Sequence, residues 1–261
     1  MRFRVVDSRG NAIPNATIVL NQKRPGFPFG SSMDSIILSN TAYQNWFTSR
    51  FTVTTFGNEM KWYSTENFQG KEDYHVCDAM IAFAKQHGIR VRGHNIVWDD
   101  PQYIQTWIKA LSEPQLEFAT NKRINSVVSR YRGQVIAWDV VNENLHFSFF
   151  EDRMGKGASG SFYQKASQLD PNTLMFLNDF NTLEVPGDVM STPAKYLQKL
   201  NEMWSFPGNK AKMAIGLEGH FGWPNIPYMR SALDTLANAK VPIWLTEVDV
   251  SNDANQVFTL L

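Results

Sequence analysis

Short apolar segments rich in β-forming residues alternate with longer helical patterns along most of this chain of 261 residues. The strands predicted are Phe27–Met33, Phe51–Phe56, Ile89–Trp98, Val135–Val141, Leu174–Leu177, Ala214–Leu217 and Pro242–Val250. The helices predicted are Thr41–Arg50, Tyr74–Gln86, Pro114–Tyr131, Ser161–Leu169, Thr192–Met203 and Tyr228–Ala239. Alternation of strand and helix is typical of a parallel sheet with helical crossovers. These strands fit either an open doubly wound sheet or most of a (β/α)8 barrel.

Two features of the sequence favour the barrel. No GxGxxG or Walker motif follows any of the predicted strands, so a nucleotide-binding doubly wound sheet has no sequence support. In a (β/α)8 barrel, the carboxyl ends of all the strands form the active-site face. Nearly every predicted strand ends in polar residues, namely Asn58, His94, Asn142 with Glu143, Asn178 with Asp179, Glu218 with His220, and Glu247 with Asp249. We therefore predict an α/β fold, a (β/α)8 TIM barrel, over residues 26–261.

Residues 1–25 are predicted to form a small β-hairpin ahead of the barrel. Two alternating runs, Phe3–Val6 and Ala16–Leu20, flank the turn-forming residues Ser8–Asn11 and Pro14–Asn15. We expect this hairpin to plug the barrel rather than to bind a ligand.

The composition argues against two classes of partner. The chain has 25 Lys and Arg residues and 25 Asp and Glu residues, whereas binding to nucleic acid or to an anionic membrane favours a basic excess. It shows neither an apolar run of membrane-spanning length nor a visible signal peptide. The single cysteine, Cys77, permits no internal disulfide.

Two carboxylates occupy equivalent places in two strands about a hundred residues apart. Glu143 ends the apolar run that begins at Trp138, and Glu247 ends the run that begins at Ile243. Glycoside hydrolysis needs two carboxyl groups beside the scissile bond, one to protonate the leaving oxygen and one to attack the sugar or activate water. The two groups must be held in different protonation states, so their surroundings must differ.

Three motifs together resemble glycoside hydrolase family 10, the endo-β-1,4-xylanases. They are Gly93–Trp98 (GHNIVW), Trp138–Glu143 (WDVVNE) and Thr246–Asp249 (TEVD). The segments Asn58–Trp62 and Gly216–Phe221 are most similar to the plant branch of that family. The resemblance implies a (β/α)8 barrel that cleaves xylan with retention of configuration and needs neither a metal nor an organic cofactor.

The resemblance also implies roles for individual residues. Glu143 resembles the acid/base and Glu247 the nucleophile, Asn142 would bind the sugar's 2-hydroxyl, and His220 would hold the nucleophile. The candidate substrate-binding residues are Asn58, Lys61, His94, Trp98, Asn142, Asn178 and His220. Lys61 could be a surface charge, but Met60 and Trp62 flank it at a strand end, which favours the site. Without the resemblance, His94 is better explained as a core side chain, and Trp98 fits the core and the site equally well. His146 and Phe147 are further candidates for the edge of the cleft.

The sequence departs from the family pattern at several places. Gly57 replaces a sugar-binding Glu, Phe180 replaces a Tyr, and Glu218 stands where bacterial members usually carry Gln. Residues 251–261 can begin a helix but are too few to supply strand 8 as well. We therefore expect a barrel without its last βα unit, as in a fragment or a truncated product, and its activity is an open question.

The function predicted is an endo-1,4-beta-xylanase-like hydrolase acting on xylan or a related β-1,4-linked polysaccharide. Alternatives are a relative that only binds polysaccharide, a β-1,4-glycanase acting on glucan or mannan, and a self-associating barrel remnant. The family implies an extracellular, cell-wall location. The sequence predicts neither the oligomeric state nor the tolerance of branches.

Overall fold

The computed structural model describes residues 2–20 and 27–250, and its main feature is one sheet of eight strands. The strands are β1 (Gly30–Met33), β2 (Val53–Phe56), β3 (Arg90–Gly93), β4 (Val97–Trp98), β5 (Val135–Asn142), β6 (Leu174–Asp179), β7 (Lys212–Phe221) and β8 (Ile243–Val250). All pairings are parallel, in the order β1-β2-β3-β5-β6-β7-β8, with β4 also on β5. Over residues 27–250 nothing pairs β8 with β1, so the described strands form an open arc of a barrel.

Helices connect successive strands, as the alternating pattern predicts. They are α1 (Thr41–Thr48), α2 (Trp62–Thr65), α3 (His75–Gln86), α4 (Thr106–Lys109), α5 (Glu113–Tyr131), α6 (Phe149–Met154), α7 (Ala158–Leu169), α8 (Pro193–Trp204) and α9 (Ile226–Leu236). Three short 3-10 helices cover Ser35–Leu38, Pro101–Tyr103 and Ala237–Ala239. None of the helices in the described part of the chain is both long and apolar enough to cross a membrane.

The main core lies between the sheet and the helices. The longest helix, α5, buries Leu116, Ile124, Val127 and Val128 at repeats of three and four residues, the spacing that forms one helical face. Its amino end carries a capping box between Ser112 and Gln115, which satisfies backbone N–H groups that have no partner within the helix. A smaller cluster of Ala137, Phe176 and Ala214, on β5, β6 and β7, packs against Trp244 of β8.

The inner side of the sheet also contains a buried charged pair. Arg92 of β3 donates to Asp139 of β5 over 2.6 Å, and both side chains are almost fully buried. The other oxygen of Asp139 lies 2.8 Å from Nδ1 of His94. These contacts fix the carboxyl end of β3 against β5, where the candidate site residues begin.

The structure corrects one predicted strand and adds three short helices that were not predicted. The predicted strand Ile89–Trp98 is two strands, β3 and β4, because the chain leaves the sheet between Gly93 and Val97. Helices α2, α4 and α6 are too short for their periodicity to be recognised in sequence.

The amino-terminal hairpin also differs from the prediction. Val6 pairs with Ala12 across a turn held by Asp7, and residues 16–20 form no strand. Residues 21–26, and the helix start predicted after Ser251, lie outside the described residues. The division into domains at residues 25 and 26 stays a prediction.

Candidate active site

Glu143 follows β5 directly and has an unusual backbone conformation. Its φ is +59°, in the left-handed region that side chains other than glycine rarely adopt. Its N–H donates to the carbonyl of Asn178, and its own carbonyl accepts from Phe147. Strained backbone persists where surrounding contacts fix it, which is typical of functional sites. This backbone turn ends the alternation of side chains along β5 at Glu143.

The carboxyl group of Glu143 is buried and has two donors. Nε1 of Trp98 donates to Oε2 over 2.7 Å, and Nδ2 of Asn142 donates to Oε1 over 3.2 Å. Burial raises the pKa of Glu143 to about 7, with further increases from the charges of Asp179 and Glu247, while the Trp98 hydrogen bond acts in the opposite direction. Glu143 can therefore carry a proton up to neutral pH.

Glu247, on β8, is more exposed and lies on the same side of the sheet. Its side chain is 38% exposed, and its Oε1 lies 3.9 Å from Nε2 of His94. Because Nδ1 of His94 contacts Asp139, the ring is oriented with Nε2 toward Glu247. The sequence alone did not decide whether His94 belongs to the core or to the site. In the structure its ring is buried, but one ring nitrogen faces the Glu247 carboxylate.

Asn178, at the end of β6, is at the centre of a hydrogen-bond network. Its Nδ2 donates to Asn142 over 2.9 Å and to Glu218 over 2.7 Å, and Thr246 donates to its Oδ1. Gly216 leaves the space for this side chain, because a Cβ there would lie 2.4 Å from Asn178 Oδ1. The Asn178 amide on β6 therefore connects Asn142 of β5 with Glu218 of β7.

His220, which the resemblance implied would hold Glu247, is bonded to two other carboxylates. Its Nδ1 contacts Asp249 over 2.7 Å and its Nε2 contacts Glu218 over 3.4 Å. The physical reason is register: Glu218 and His220 of β7 lie opposite Glu247 and Asp249 of β8, so each of the two β7 residues faces a carboxylate. The hydrogen bonds of His220 therefore go to Asp249 and Glu218, and its role toward Glu247 stays a prediction.

Glu218, which stands where bacterial members of the family usually carry Gln, is a third carboxyl group near Glu143 and Glu247. Burial raises its pKa well above the ordinary value, as do the charges of Glu247 and Glu143, while the His220 hydrogen bond opposes them. The contacts with Glu218 and Asp249 raise the pKa of His220 to about 10, against the effect of burial. Polar atoms of Glu218, His220 and Glu247 lie within 4.8 Å of one another, but an imidazole that keeps its proton is a poor metal ligand.

Asn58, Lys61 and Trp98 form one end of the site. The Lys61 ammonium lies 3.4 Å from Asn58 Oδ1 and 4.5 Å from the centre of the Trp98 ring. Burial lowers the pKa of Lys61, and attraction to Glu247, Glu143 and Glu218 opposes that shift, so Lys61 shares the field of the carboxylates. Tyr103 stacks on Trp98 at 4.0 Å and 10°, so one face of the indole is already covered.

A charged histidine network next to Glu143 went largely unrecognised in the sequence. His146 lies between Asp179, at 2.5 Å, and Asp188, at 2.9 Å, and stacks on Phe180 at 3.7 Å. Burial lowers the pKa of His146, but the two carboxylates outweigh it and raise the value to about 9. Its position three residues after Glu143 was the only sequence signal, and Asp188 gave none.

Arg123 of α5 is a second residue that sequence reasoning missed. Its buried guanidinium donates to the backbone carbonyls of Met60, Asn95 and Ile96 and to the Thr65 hydroxyl. These carbonyls belong to the segments that carry Lys61 and His94. In sequence, Arg123 was one charged residue among several in a helix.

A parallel barrel sheet with two carboxyl groups in different surroundings at its carboxyl ends defines a class, that of the barrel glycoside hydrolases. The model of glycosyl hydrolase family 10 matches residues 19–259. This chain belongs to that family.

The relatives of this chain include plant xylanases. The chain is 47% identical over 260 residues to endo-1,4-beta-xylanase 5 of Arabidopsis thaliana and 43% identical over 261 residues to endo-1,4-beta-xylanase 4 of the same plant. Each alignment covers 98% of this chain and 46% of the relative, so the chain spans about half the length of these relatives.

Solved structures share the fold. A GH10 xylanase of Thermobacillus composti superposes with a TM-score of 0.72 at 26% identity, covering 87% of this chain and 69% of that one. An intracellular xylanase of Thermoanaerobacterium saccharolyticum, solved as a mutant with xylotriose, gives a TM-score of 0.77 at 23% identity, with 90% and 78% covered. The fold class predicted from the sequence, the (β/α)8 barrel, is confirmed.

Proposed function

We propose that the protein is a retaining endo-1,4-beta-xylanase in which Glu143 is the acid/base and Glu247 the nucleophile. The observation that carries the proposal is the difference between the two carboxyl groups. Glu143 is 8% exposed with a pKa raised to about 7 by burial, whereas the side chain of Glu247 is 38% exposed and faces His94.

The chemistry follows from these surroundings. Glu143 donates its proton to the glycosidic oxygen while the ionised Glu247 attacks the anomeric carbon, and the leaving chain departs with the proton. The covalent glycosyl-enzyme is then hydrolysed by water, which Glu143, now a carboxylate, deprotonates. Lys61 and Asn58 are assigned to sugar binding on the Trp98 side, and Asn142, beside Glu143, to a sugar hydroxyl.

Xylan is proposed as the substrate because the plant relatives are named endo-1,4-beta-xylanases. The same names support an extracellular, cell-wall site of action, since plant xylan is a wall polysaccharide. Asn178 and His220 are assigned supporting roles, because both contact Glu218.

The test is reducing-sugar release from arabinoxylan, carboxymethyl cellulose and mannan by the purified chain. We expect activity on arabinoxylan, loss of it in Glu143→Gln and Glu247→Gln, and a first product with retained anomeric configuration by NMR. Activity on cellulose or mannan alone would change the substrate to another β-1,4-glycan. Binding of xylan without hydrolysis by a folded chain would reduce the protein to a polysaccharide binder.

A further inference from the structure

The turn that carries Glu143 is bound along its length to the end of β6. The Glu143 N–H donates to the carbonyl of Asn178 over 2.9 Å. Further along the turn, the N–H of Leu145 donates to Oδ2 of Asp179 over 2.7 Å, and Nδ1 of His146 lies 2.5 Å from Oδ1 of the same carboxylate. Asp179 therefore contacts the turn through both of its oxygens, and His146 provides the side-chain half of that contact.

His146 also connects this turn to the loop that follows β6. Its Nε2 lies 2.9 Å from Oδ2 of Asp188, which also accepts from Asn181 over 2.7 Å. The ring stacks on Phe180 at 3.7 Å and 9°, so its plane is fixed too. A carboxylate can only accept hydrogen bonds, and each ring nitrogen faces one. The ring therefore carries both protons and is an imidazolium.

The imidazolium compensates a charge that has no access to solvent. The side chain of Asp179 is fully buried, and a buried carboxylate is stable only with charged or hydrogen-bonding partners. The charge of Asp179 also acts on Glu143, since it contributes to the raised pKa of that carboxyl group. A change at His146 is therefore transmitted to Glu143 in two ways, through the backbone of the turn and through the field of Asp179.

We propose that His146 is a positioning residue for the candidate acid/base: held between Asp179 and Asp188, it fixes the turn so that the proton of Glu143 points at the leaving oxygen. The inference rests on the proposed function. His146 acts through Asp179 and not on the sugar, so its loss should slow the steps in which Glu143 moves a proton and spare the attack by Glu247. A residue with a merely structural role would slow all steps alike.

The test compares two glycosides that differ only in the basicity of the leaving group. Phenyl β-xylobioside releases a basic phenoxide that needs a proton from Glu143, whereas dinitrophenyl β-xylobioside releases a weakly basic one that does not. His146→Gln should lower kcat/KM roughly 10- to 100-fold for the phenyl glycoside and less than about 3-fold for the dinitrophenyl glycoside. With the dinitrophenyl glycoside kcat and KM should fall together, because hydrolysis of the glycosyl-enzyme still needs Glu143 as the base.

Two further variants complete the design. Asp188→Asn removes only the outer charge, so it should keep the fold and show the same dependence on the leaving group with a smaller loss. His75→Gln is the matched control, because His75 of α3 also lies 2.6 Å from a carboxylate, that of Asp73, but both side chains are exposed. Its kinetics should match the wild type with both glycosides. Equal losses with the two glycosides in Asp188→Asn, or no loss in His146→Gln, would overturn the inference.

A spectroscopic measurement separates this result from the proposed function. The Trp98 indole N–H donates to Glu143 over 2.7 Å, so the resonance of its proton reports the position of that carboxyl group. The signal is identified by its loss in Trp98→Phe, and it should shift in His146→Gln and Asp188→Asn but not in the His75 control. A shift in a chain that cleaves neither glycoside would overturn the proposed catalysis alone, whereas an unchanged resonance would overturn the positioning role.

Discussion

Replacing Trp98 by Phe is predicted to extend activity to higher pH. The substitution keeps an aromatic ring for Tyr103 and Lys61 but removes the N–H that donates to Glu143 over 2.7 Å. That hydrogen bond lowers the pKa of Glu143 against the stronger effect of burial. Without it, the ionised form of Glu143 is less stable and the acid keeps its proton to a higher pH.

The magnitude follows from the strength of the bond. A hydrogen bond to an ionised group contributes about 1.5–3 kcal/mol, and one pKa unit corresponds to about 1.4 kcal/mol. Taking the lower value, since water can replace part of the bond, the pKa rises by about one unit. The alkaline limb of kcat/KM, set by deprotonation of the acid at about 7, should move to about 8.

The assay is the pH dependence of kcat/KM on soluble arabinoxylan for the wild type, Trp98→Phe and Trp107→Phe. Trp107 is the matched control, because its indole nitrogen has no hydrogen-bond partner among the described residues. The alkaline limb of the Trp107→Phe variant should coincide with that of the wild type. An alkaline limb in Trp98→Phe that stays in place, or moves to lower pH, would show that Glu143 is not the acid or that the Trp98 contact does not control it.

Three further predictions concern the surroundings of the two carboxyl groups. Burial raises the pKa of Glu143 from 4.5 to about 7, so the stability of the wild type should fall as pH rises through 7. Glu143→Gln should then be more stable by about 3 kcal/mol at pH 9 and equally stable near pH 4, measured by thermal unfolding; no gain at pH 9 would contradict this. His146→Gln should lower the free energy of unfolding by about 3 kcal/mol at neutral pH. This loss of stability is fully present below about pH 6.5 and disappears above about 9. NMR titration of the wild-type His146 ring should show the raised pKa. Gly216→Ala, whose Cβ would meet Asn178, should lower kcat/KM roughly 10- to 100-fold with an unchanged circular dichroism spectrum, and unaltered kinetics would refute the role of that amide.

The fold was predictable because its main signals are local. Periodicity and turn residues predict the six helices that have eight or more residues and the strands that follow them. Most shifts at their ends are small, but β7 runs over Lys212–Phe221 where only Ala214–Leu217 was predicted, so Glu218 and His220 lie within the strand. The short helices α2, α4 and α6 were not predictable, since four to six residues cannot show a helical period. The break between β3 and β4 was also missed, because Ile89–Trp98 was predicted as one continuous strand.

The site was predictable as a set of residues but not as a set of contacts. Apolar runs that end in a carboxylate indicate Glu143 and Glu247, and the family motif indicates His94. The partner of His220 was not predictable from these signals, since it depends on the register of β7 against β8. The same limit applies to His146, whose charge depends on Asp188 more than forty residues later in the chain, in a loop without sequence pattern.

Burial alone does not decide which carboxyl group is the acid, because Glu143 and Glu218 are both buried and both have raised pKa values. A general acid works best when its pKa lies near the working pH. Glu143, at about 7, meets this condition, whereas burial raises the pKa of Glu218 well above its ordinary value. The contacts of the two groups also differ. The Trp98 N–H donates to Glu143, whereas Glu218 is held within the hydrogen-bond network by Asn178 and His220. Glu143 is therefore the buried carboxyl group whose pKa lies in the working range, and Glu218 is a member of the network that supports the site.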